Sequence, residues 1–560
     1  MYFLLEASRL FRLYLLLLCY GLCHILLISS VAAQAANTKK EVKNRDTHQT
    51  GQQQTLSQLN RLFLQQILLE GNTVFTNQQL QSLLVPYLHR WITAEDVQEL
   101  RRVLTNHYIQ HGYINSGAVI PPQQVSDGRI NIRIIEGQLS DMHITGLQRL
   151  RPSYLRKRLQ HFLHEDKVFN LYALQQELRL LEQSALIDRL HGSIQPDTER
   201  GHARFKLQVE EARPWQVRLA FNNHASPNVG AQQIAFDFQH DNLLGFADRF
   251  TFTHQRTEGI KAYRTSYMLP LTAEDLSIWF AYSTNDAKVI IKPFDLLDIT
   301  SQSESYEIGI QRPFYQTLHT DFELALALRK KTSTLYLLGE RFSFTSSEEE
   351  GKTRISTLTF TQRWVQRSLS RVIAFYSDIY FGLDKWEASG PPEPDGSYTA
   401  WLGQLQILQN LAYRKSSLLL RANLHWSDSP LMSSEKFSMG GAASVRGYRE
   451  GQITRDRGLF TSLEWRIPVA KWHIPQFSSS IEDGQITLVP FVDYAVGREY
   501  TGAASEPGAI SSTGLGLIWD PASCCRMQVY WAHALTKIDP GNVEQDLQDS
   551  GIHFHLKINI

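Results

Sequence analysis

Arg446 lies in a stretch that runs from Phe437-Ser438-Met439-Gly440-Gly441 to Ser444-Val445-Arg446-Gly447-Tyr448-Arg449-Glu450. Its glycines permit a tight bend, and its length exceeds that of a simple hairpin turn. A guanidinium taken out of water needs an anion, and a carboxylate accepting two parallel hydrogen bonds fits it best. Two carboxylates follow on the next two apolar segments. Leu459, Leu463, Trp465 and Ile467 share one phase of a period-two pattern, which turns Glu464 to the other face. Ile486, Leu488, Val492 and Tyr494 do the same for Asp493. An arginine on a bent loop and two carboxylates on one face are the material for a buried ion pair. They are equally the material for two ordinary charges and an unrelated surface arginine, and spacing alone leaves both open.

Other candidate chemistry is thin. Gly351-Lys352-Thr353 imitates the end of a phosphate-binding loop, but Ser346 stands where the first glycine belongs. No G-x-S-x-G nucleophile turn occurs. His107 and His111 are four apart, as on one face of a helix, with no third metal ligand nearby, and a solvated helix face is the expectation. His553 and His555 share a face of the last strand and read as polar lining. Cys524-Cys525 are the cysteines left after a leader is removed, either an idle thiol pair or a strained vicinal disulfide. No catalytic residue, cofactor or metal is expected, and the chain does not read as an enzyme.

The elements that would position Arg446 come from periodicity. Residues 1–35 read as a secretory signal: Arg9 and Arg12 precede an apolar run from Leu13 to Val31, and Ala33-Gln34-Ala35 supplies the small residues of a cleavage site. Residues 36–63 form a polar, Gln-rich linker, with Leu56, Leu59 and Phe63 spaced for a helical turn or two. Residues 64–137 and 138–212 each read as a small α+β unit with the order β-α-α-β-β. In the first, Thr93 caps a helix carrying Val97, Leu100, Leu104 and Tyr108. In the second, one helix runs from Pro152 to about Leu163 and another from Asn170 to Ser184. Each unit leaves a sheet edge open to an extended strand from another chain.

Residues 213–560 alternate with period two, and ten of the eleven tryptophans lie there, as interfacial aromatic girdles require. Trp215, Val217, Leu219 and Phe221 oppose Gln216, Arg218 and Ala220; Ile552, Phe554, Leu556, Ile558 and Ile560 oppose His553, His555 and Lys557. The apolar positions face lipid and the alternate positions are polar and face a lumen. The segment holds 348 residues. At about 22 residues per strand and connection this makes about 16 antiparallel strands, an even number as single-chain outer-membrane barrels have. Short turns face the periplasm, which puts Asp520–Ser523 and the cysteines there. The fold class is therefore α+β periplasmic domains followed by an all-β transmembrane barrel. Charge balances at 56 basic and 56 acidic residues, so a nucleic-acid partner is not expected.

Val445-Arg446-Gly447-Tyr448 and Phe491-Val492-Asp493 resemble the loop and strand motifs of the Omp85 superfamily. The segment Tyr108-Ile109-Gln110-His111-Gly112-Tyr113, with Pro121, Gln124, Gly128 and Ile135-Glu136-Gly137, is similar to a first POTRA domain of its haemolysin secretion/activation branch. The family has Gly two residues after the motif aspartate, where this chain has Ala495, and often ends in Phe, where this chain ends in Ile560. The resemblance covers essentially the whole mature chain. It implies the outer-membrane component of two-partner secretion: a conducting pore that exports a haemolysin- or adhesin-type exoprotein without nucleotide. POTRA domains in the periplasm would bind the exoprotein as an extended chain. It implies that Asp493, with Glu464 as second or alternative acceptor, receives Arg446 in the lumen. It implies outer-membrane lipid around the barrel. It also implies that Phe554, Leu556, Ile558 and Ile560 form the C-terminal signal read by the barrel assembly machinery. An insertase of outer-membrane proteins carries more POTRA units than this chain has room for, and a passive porin or importer needs none.

Overall fold

The computed structural model describes residues 61–560, except 125–126, 165–166, 344–349, 387, 391–393, 475–477, 479, 481, 502–506 and 540–542. The expected signal 1–35 and nearly all of the expected linker 36–63, including Leu56 and Leu59, lie outside these residues. Phe63 does not continue a helical turn. It sits in strand β1 (Leu62–Leu64), which pairs with β3 (Arg90–Ile92) as a ribbon, and its ring meets Trp91 edge-on at 5.6 Å. This cross-strand aromatic pair is invisible to a local reading, because its members are 28 positions apart in the sequence.

The first unit continues with β2 (Gln66–Glu70), α1 (Asn77–Leu84), α2 (Ala94–Gln110), β4 (Gly117–Val119) and β5 (Arg129–Ile135). Its sheet order is β2-β5-β4. Helix α2 starts as its capping box dictates: the Asp96 carboxylate accepts the Thr93 N–H at 2.8 Å, and Val97, Leu100, Leu104 and Tyr108 are buried along one face. His107 and His111 are not simply solvated. Both rings lie against Phe75, with centroids 4.8 and 5.2 Å away.

The second unit comprises β6 (Gln138–Thr145), α3 (Pro152–Leu159), α4 (Leu171–Glu182), β7 (Ile187–Pro196) and β8 (His202–Glu211), with sheet order β6-β8-β7. Helix α3 ends at Leu159, short of the expected Leu163, because its last turn tightens into a 3-10 turn over Gln160–Phe162. Asn170 caps α4 through Tyr172 N and Ala173 N.

The two units repeat one device. Gly71 and Gly146 follow the first long strand of each with φ of +81° and +88°. A Cβ there would strike the carbonyl oxygens of Ile134 and Val209 respectively. Two residues beyond each of those carbonyls stands a glutamate. Glu136 accepts from Thr73 N, Val74 N and Tyr108 Oη; Glu211 accepts from Gln148 N, Arg149 N and Leu150 N. A carboxylate thus ties down the turn that leads into the next helix. Multiple backbone donors outweigh burial and hold the Glu211 carboxyl below its ordinary value.

The remainder is a closed barrel. Its strands are β9 (Trp215–Asn222), β10 (Gln233–Asp241), β11 (Arg249–Arg256), β12 (Ile260–Pro270), β13 (Ser277–Lys288), β14 (Thr300–Gln316) and β15 (Thr320–Leu337). After the two-residue β16 (Glu340–Arg341) come β17 (Lys352–Arg367), β18 (Arg371–Gly382), β19 (Thr399–Asn410) and β20 (Ser417–Ser427). The short β21 (Phe437–Met439) and β22 (Ile453–Arg455) belong to one long connection. Then follow β23 (Arg457–Lys471), β24 (Gln485–Arg498), β25 (Ala509–Ala522), β26 (Cys525–Ala534) and β27 (Ile552–Asn559). With β16, β21 and β22 set aside, 16 antiparallel strands close when β27 pairs with β9. The expected phases hold: Ile234, Leu424, Val492 and Trp531 are exposed on the outside, whereas Glu464, Asp493 and His553 are buried inside. The Asp520–Ser523 turn and both cysteines lie at the end that carries the two α+β units. The thiols are free.

One expectation needs correction. Inward positions are not polar throughout. Phe460, Val489, Phe491, Ala495 and Ile510 on β23–β25 point inward and are buried. They do so because this part of the lumen is filled by protein rather than water.

Candidate functional site

The filling is the connection 428–456 between β20 and β23. Instead of projecting outward it folds back into the barrel. Its β21–β22 ribbon forms the stem, and Met439, Val445, Tyr448 and Ile453 pack on Phe460, Ala495 and Ile510 of the wall. Ala495, where a related motif carries glycine, contributes its methyl to this cluster. Gly440, Gly441, Gly447 and Gly451 all have positive φ. Gly440 is required by contact as well, since a Cβ there would lie 2.6 Å from the Arg449 carbonyl oxygen.

Arg446 is at the tip and is only 1% exposed. Its Nε donates to Asp493 Oδ2 at 2.8 Å and its Nη2 to Asp493 Oδ1 at 2.7 Å, the two-pronged fit of guanidinium to carboxylate. Its own backbone N–H adds a bond to Asp493 Oδ2 at 3.1 Å, and Nη1 donates to Glu464 Oε1 at 2.8 Å. Ser462 Oγ accepts from Nη2 at 3.2 Å. The strands explain the convergence. Ser462 of β23 is directly opposite Asp493 of β24, and Glu464 is two residues along on the same inward face. One face of the guanidinium lies over the Phe491 ring at 3.5 Å and 4.8 Å from Tyr530, which strengthens attraction in a site closed to water.

Periodicity could not single out several further residues. Glu464 also binds Arg466 and Arg421, at 2.9 and 3.4 Å, so the two carboxylates serve three guanidiniums. Gly447 N donates to His553 Nε2 at 3.1 Å, which gives that histidine a specific partner beyond polar lining. Tyr448 Oη donates to Ser511 O and accepts from Thr536 N. Arg449 forms a two-pronged pair with Asp549, at 2.6 Å for both bonds. At its other end, the connection reaches across to β15: Glu435 accepts from Arg329 at 2.9 Å and Lys331 at 3.4 Å. His555 and the C-terminal Phe554, Leu556, Ile558 and Ile560 lie apart from this network, Phe554, Leu556 and Ile558 facing outward on β27 and Ile560 following its end.

Among the described residues no group of three or more His, Cys, Asp or Glu side chains is arranged to hold a metal. The site is an electrostatic clasp of one buried guanidinium between two carboxylates.

Comparison with known proteins agrees with this architecture. A family model described as haemolysin secretion/activation protein ShlB/FhaC/HecB matches residues 201–518, more than half of the chain, and one described as POTRA domain, ShlB-type, matches residues 62–137. The outer membrane transporter CdiB of Dickeya dadantii (strain 3937) is 23% identical, over 77% of this chain and 75% of its own length. The hemolysin transporter protein ShlB of Serratia marcescens is 23% identical, over 77% and 74%. The solved structure of CdiB from Escherichia coli aligns with a TM-score of 0.66 at 17% identity, covering 92% of this chain and 93% of the other.

Proposed function

Because this chain belongs to the haemolysin secretion/activation family, we propose that it is the outer-membrane pore that secretes a haemolysin- or CdiA-type exoprotein, in an extended state and without nucleotide. The barrel crosses the outer membrane and the α+β units stand in the periplasm. They recruit the exoprotein, and the barrel passes it outward. The observation that carries the reading is the clasped connection inside a closed barrel: Arg446, bound by Asp493 and Glu464, holds a plug that a passive porin would not need. The domain limits 64–137 and 138–212 mark the two recruiting units, of which the second repeats the Gly–Glu turn device of the first.

The recruiting step rests on the sheet edges. Strands β2 and β4 of the first unit and β6 and β7 of the second are outermost in their sheets. They are not equivalent. β7 is interrupted by a register shift at Ile187/Arg189 and ends in Pro196, features that discourage strand addition, and β4 is three residues long. β2 carries three consecutive apolar residues, Ile67-Leu68-Leu69, between Gln66 and Glu70, and Leu68 is 40% exposed. An extended segment of the exoprotein adds to β2. The test is binding of an N-terminal fragment of the exoprotein encoded beside this chain to the full-length transporter in detergent. A proline replacing Leu68 should abolish binding and leave the barrel intact. Unchanged binding and secretion in that variant would remove β2 from the reading, and failure of the intact chain to secrete the exoprotein would remove the function.

A further inference from the structure

The plug does not occupy the lumen evenly. Its hydrogen bonds and ion pairs described above run to β23, β24, β25 and β27, to the β26–β27 connection, and on the far side to β15. Its apolar residues Leu431 and Met432 cluster with Ile355 of β17 and with Tyr398 and Ala400 at the start of β19. The inner wall from β9 to β14 has a different character. Thr253, Arg264, Ser283, Asn285, Ser303 and Ser305 line one cavity of about 260 Å³ there. A second, of about 250 Å³, lies between β9, β10 and the β25–β26 turn.

The chemistry of this wall is that of a surface that holds nothing tightly. Short hydroxyls and amides recur on it, and some are already engaged: Thr251 bonds Ser266 at 2.6 Å and Thr253 bonds the Asp237 carboxylate at 2.9 Å. Its charges stand in opposite pairs, Arg218 with Asp237 at 3.8 Å and Arg264 with Glu307 at 3.7 Å, which leaves little field to trap a chain of either sign. The sheet is closed, so a passing strand meets no free edge to which it can add. On the plug side, Phe460, Phe491 and Tyr398 are buried beneath the connection, so that part of the wall is already occupied.

We propose that the translocating polypeptide runs along the β9–β14 wall, past Thr253, Ser283 and Ser305, while the clasped connection stays bound to β23–β25, β27 and β15. The proposal rests on the secretion reading above and adds to it a location. A plug that remains in place keeps the clasp's contacts and narrows the lumen to one extended chain.

Two experiments separate the location from the function. Single cysteines replace Ser283, Ser305 or, on the plug side, Asn423, in a C524A/C525A background. Purified protein in planar bilayers is then treated with a bulky, charged methanethiosulfonate. A fall in single-channel current for the Ser283 and Ser305 positions and none for Asn423 is expected. The opposite pattern, or equal falls at all three, overturns the proposal. In cells, a photo-cross-linking residue is placed at the same three sites, and the exoprotein encoded beside this chain is stalled by a disulfide-locked domain fused to its C-terminal end. Adducts at Ser283 and Ser305 are expected. Adducts confined to Asn423, with normal secretion by the unaltered chain, refute the wall while leaving the transporter reading intact. No secretion by the unaltered chain refutes both.

Discussion

The Arg446 guanidinium carbon stands 3.5 Å from the centre of the Phe491 ring, and Phe491 precedes by two residues the Asp493 that the same guanidinium grips. One strand therefore supplies both the anion and the π face. The ring excludes water from the ion pair, and its π face attracts the guanidinium.

Arg446→Ala should leave the protein folded in the outer membrane but alter export. A charge-assisted pair contributes about 1.5–3 kcal/mol, and desolvation of both partners offsets part of it, which is small against a sheet this large. Heat-modifiable migration in gels should be unchanged while secretion of the exoprotein falls. Asp493→Asn should behave alike, since an amide accepts from only one prong. Arg446→Lys should retain partial secretion, because an ammonium cannot make the forked contact. Normal secretion by Arg446→Ala would show that the clasp has no part in transport.

Ion conductance in bilayers should be modest with the connection in place. The wall residues Gln216, Arg218, Asp237 and Lys557 are polar enough to pass ions, and the plug takes up the rest. Deleting 431–453 should raise single-channel conductance severalfold if the barrel closes over the gap. Equal conductance with and without the segment would mean that it does not limit the pore.

Removing residues 64–212 should leave a barrel that inserts but does not secrete. The β9–β27 ladders that close the barrel all lie outside the deleted part. Outer-membrane fractionation and an export assay on the same cells decide this. Continued export would place recruitment in the barrel itself.

Glu211 gives a pH-dependent prediction. Its folded pKa is held below 4.5, first against burial and then by the backbone bonds of Leu150, Arg149 and Gln148. Its contribution is therefore complete above the unfolded value of about 4.5 and disappears as pH falls through the lower folded value. Glu211→Gln should remove about 1.5–3 kcal/mol from the second unit at pH 7 and progressively less below pH 4.5. Hydrogen exchange at residues 148–150, compared between the two proteins at each pH, measures it. A constant difference from pH 7 to pH 3 would rule out the carboxylate as the source.

Alternation along single strands was enough to orient Glu464 and Asp493 inward and Leu463 and Val492 outward, because side-chain direction in a strand is a local property with period two. Capping was equally local: Thr93 with Asp96, and Asn170, mark their helices without reference to anything distant. The number of strands followed from length, since each crossing of the bilayer consumes a fixed stretch of chain. What lay beyond the sequence was pairing between distant parts. The β1–β3 ribbon depends on Phe63 meeting Trp91. The inward apolar residues Val489, Phe491 and Ile510 contradict the simple polar-lumen rule until the connection is seen packed on them. The fit of Arg446 depends on the register that sets Ser462 opposite Asp493, and the bond from Gly447 N to His553 beside it joins residues 106 positions apart along the chain. Local periodicity tells which way a side chain points. Only the closed barrel decides what it meets there, because register and closure are set by all the ladders together.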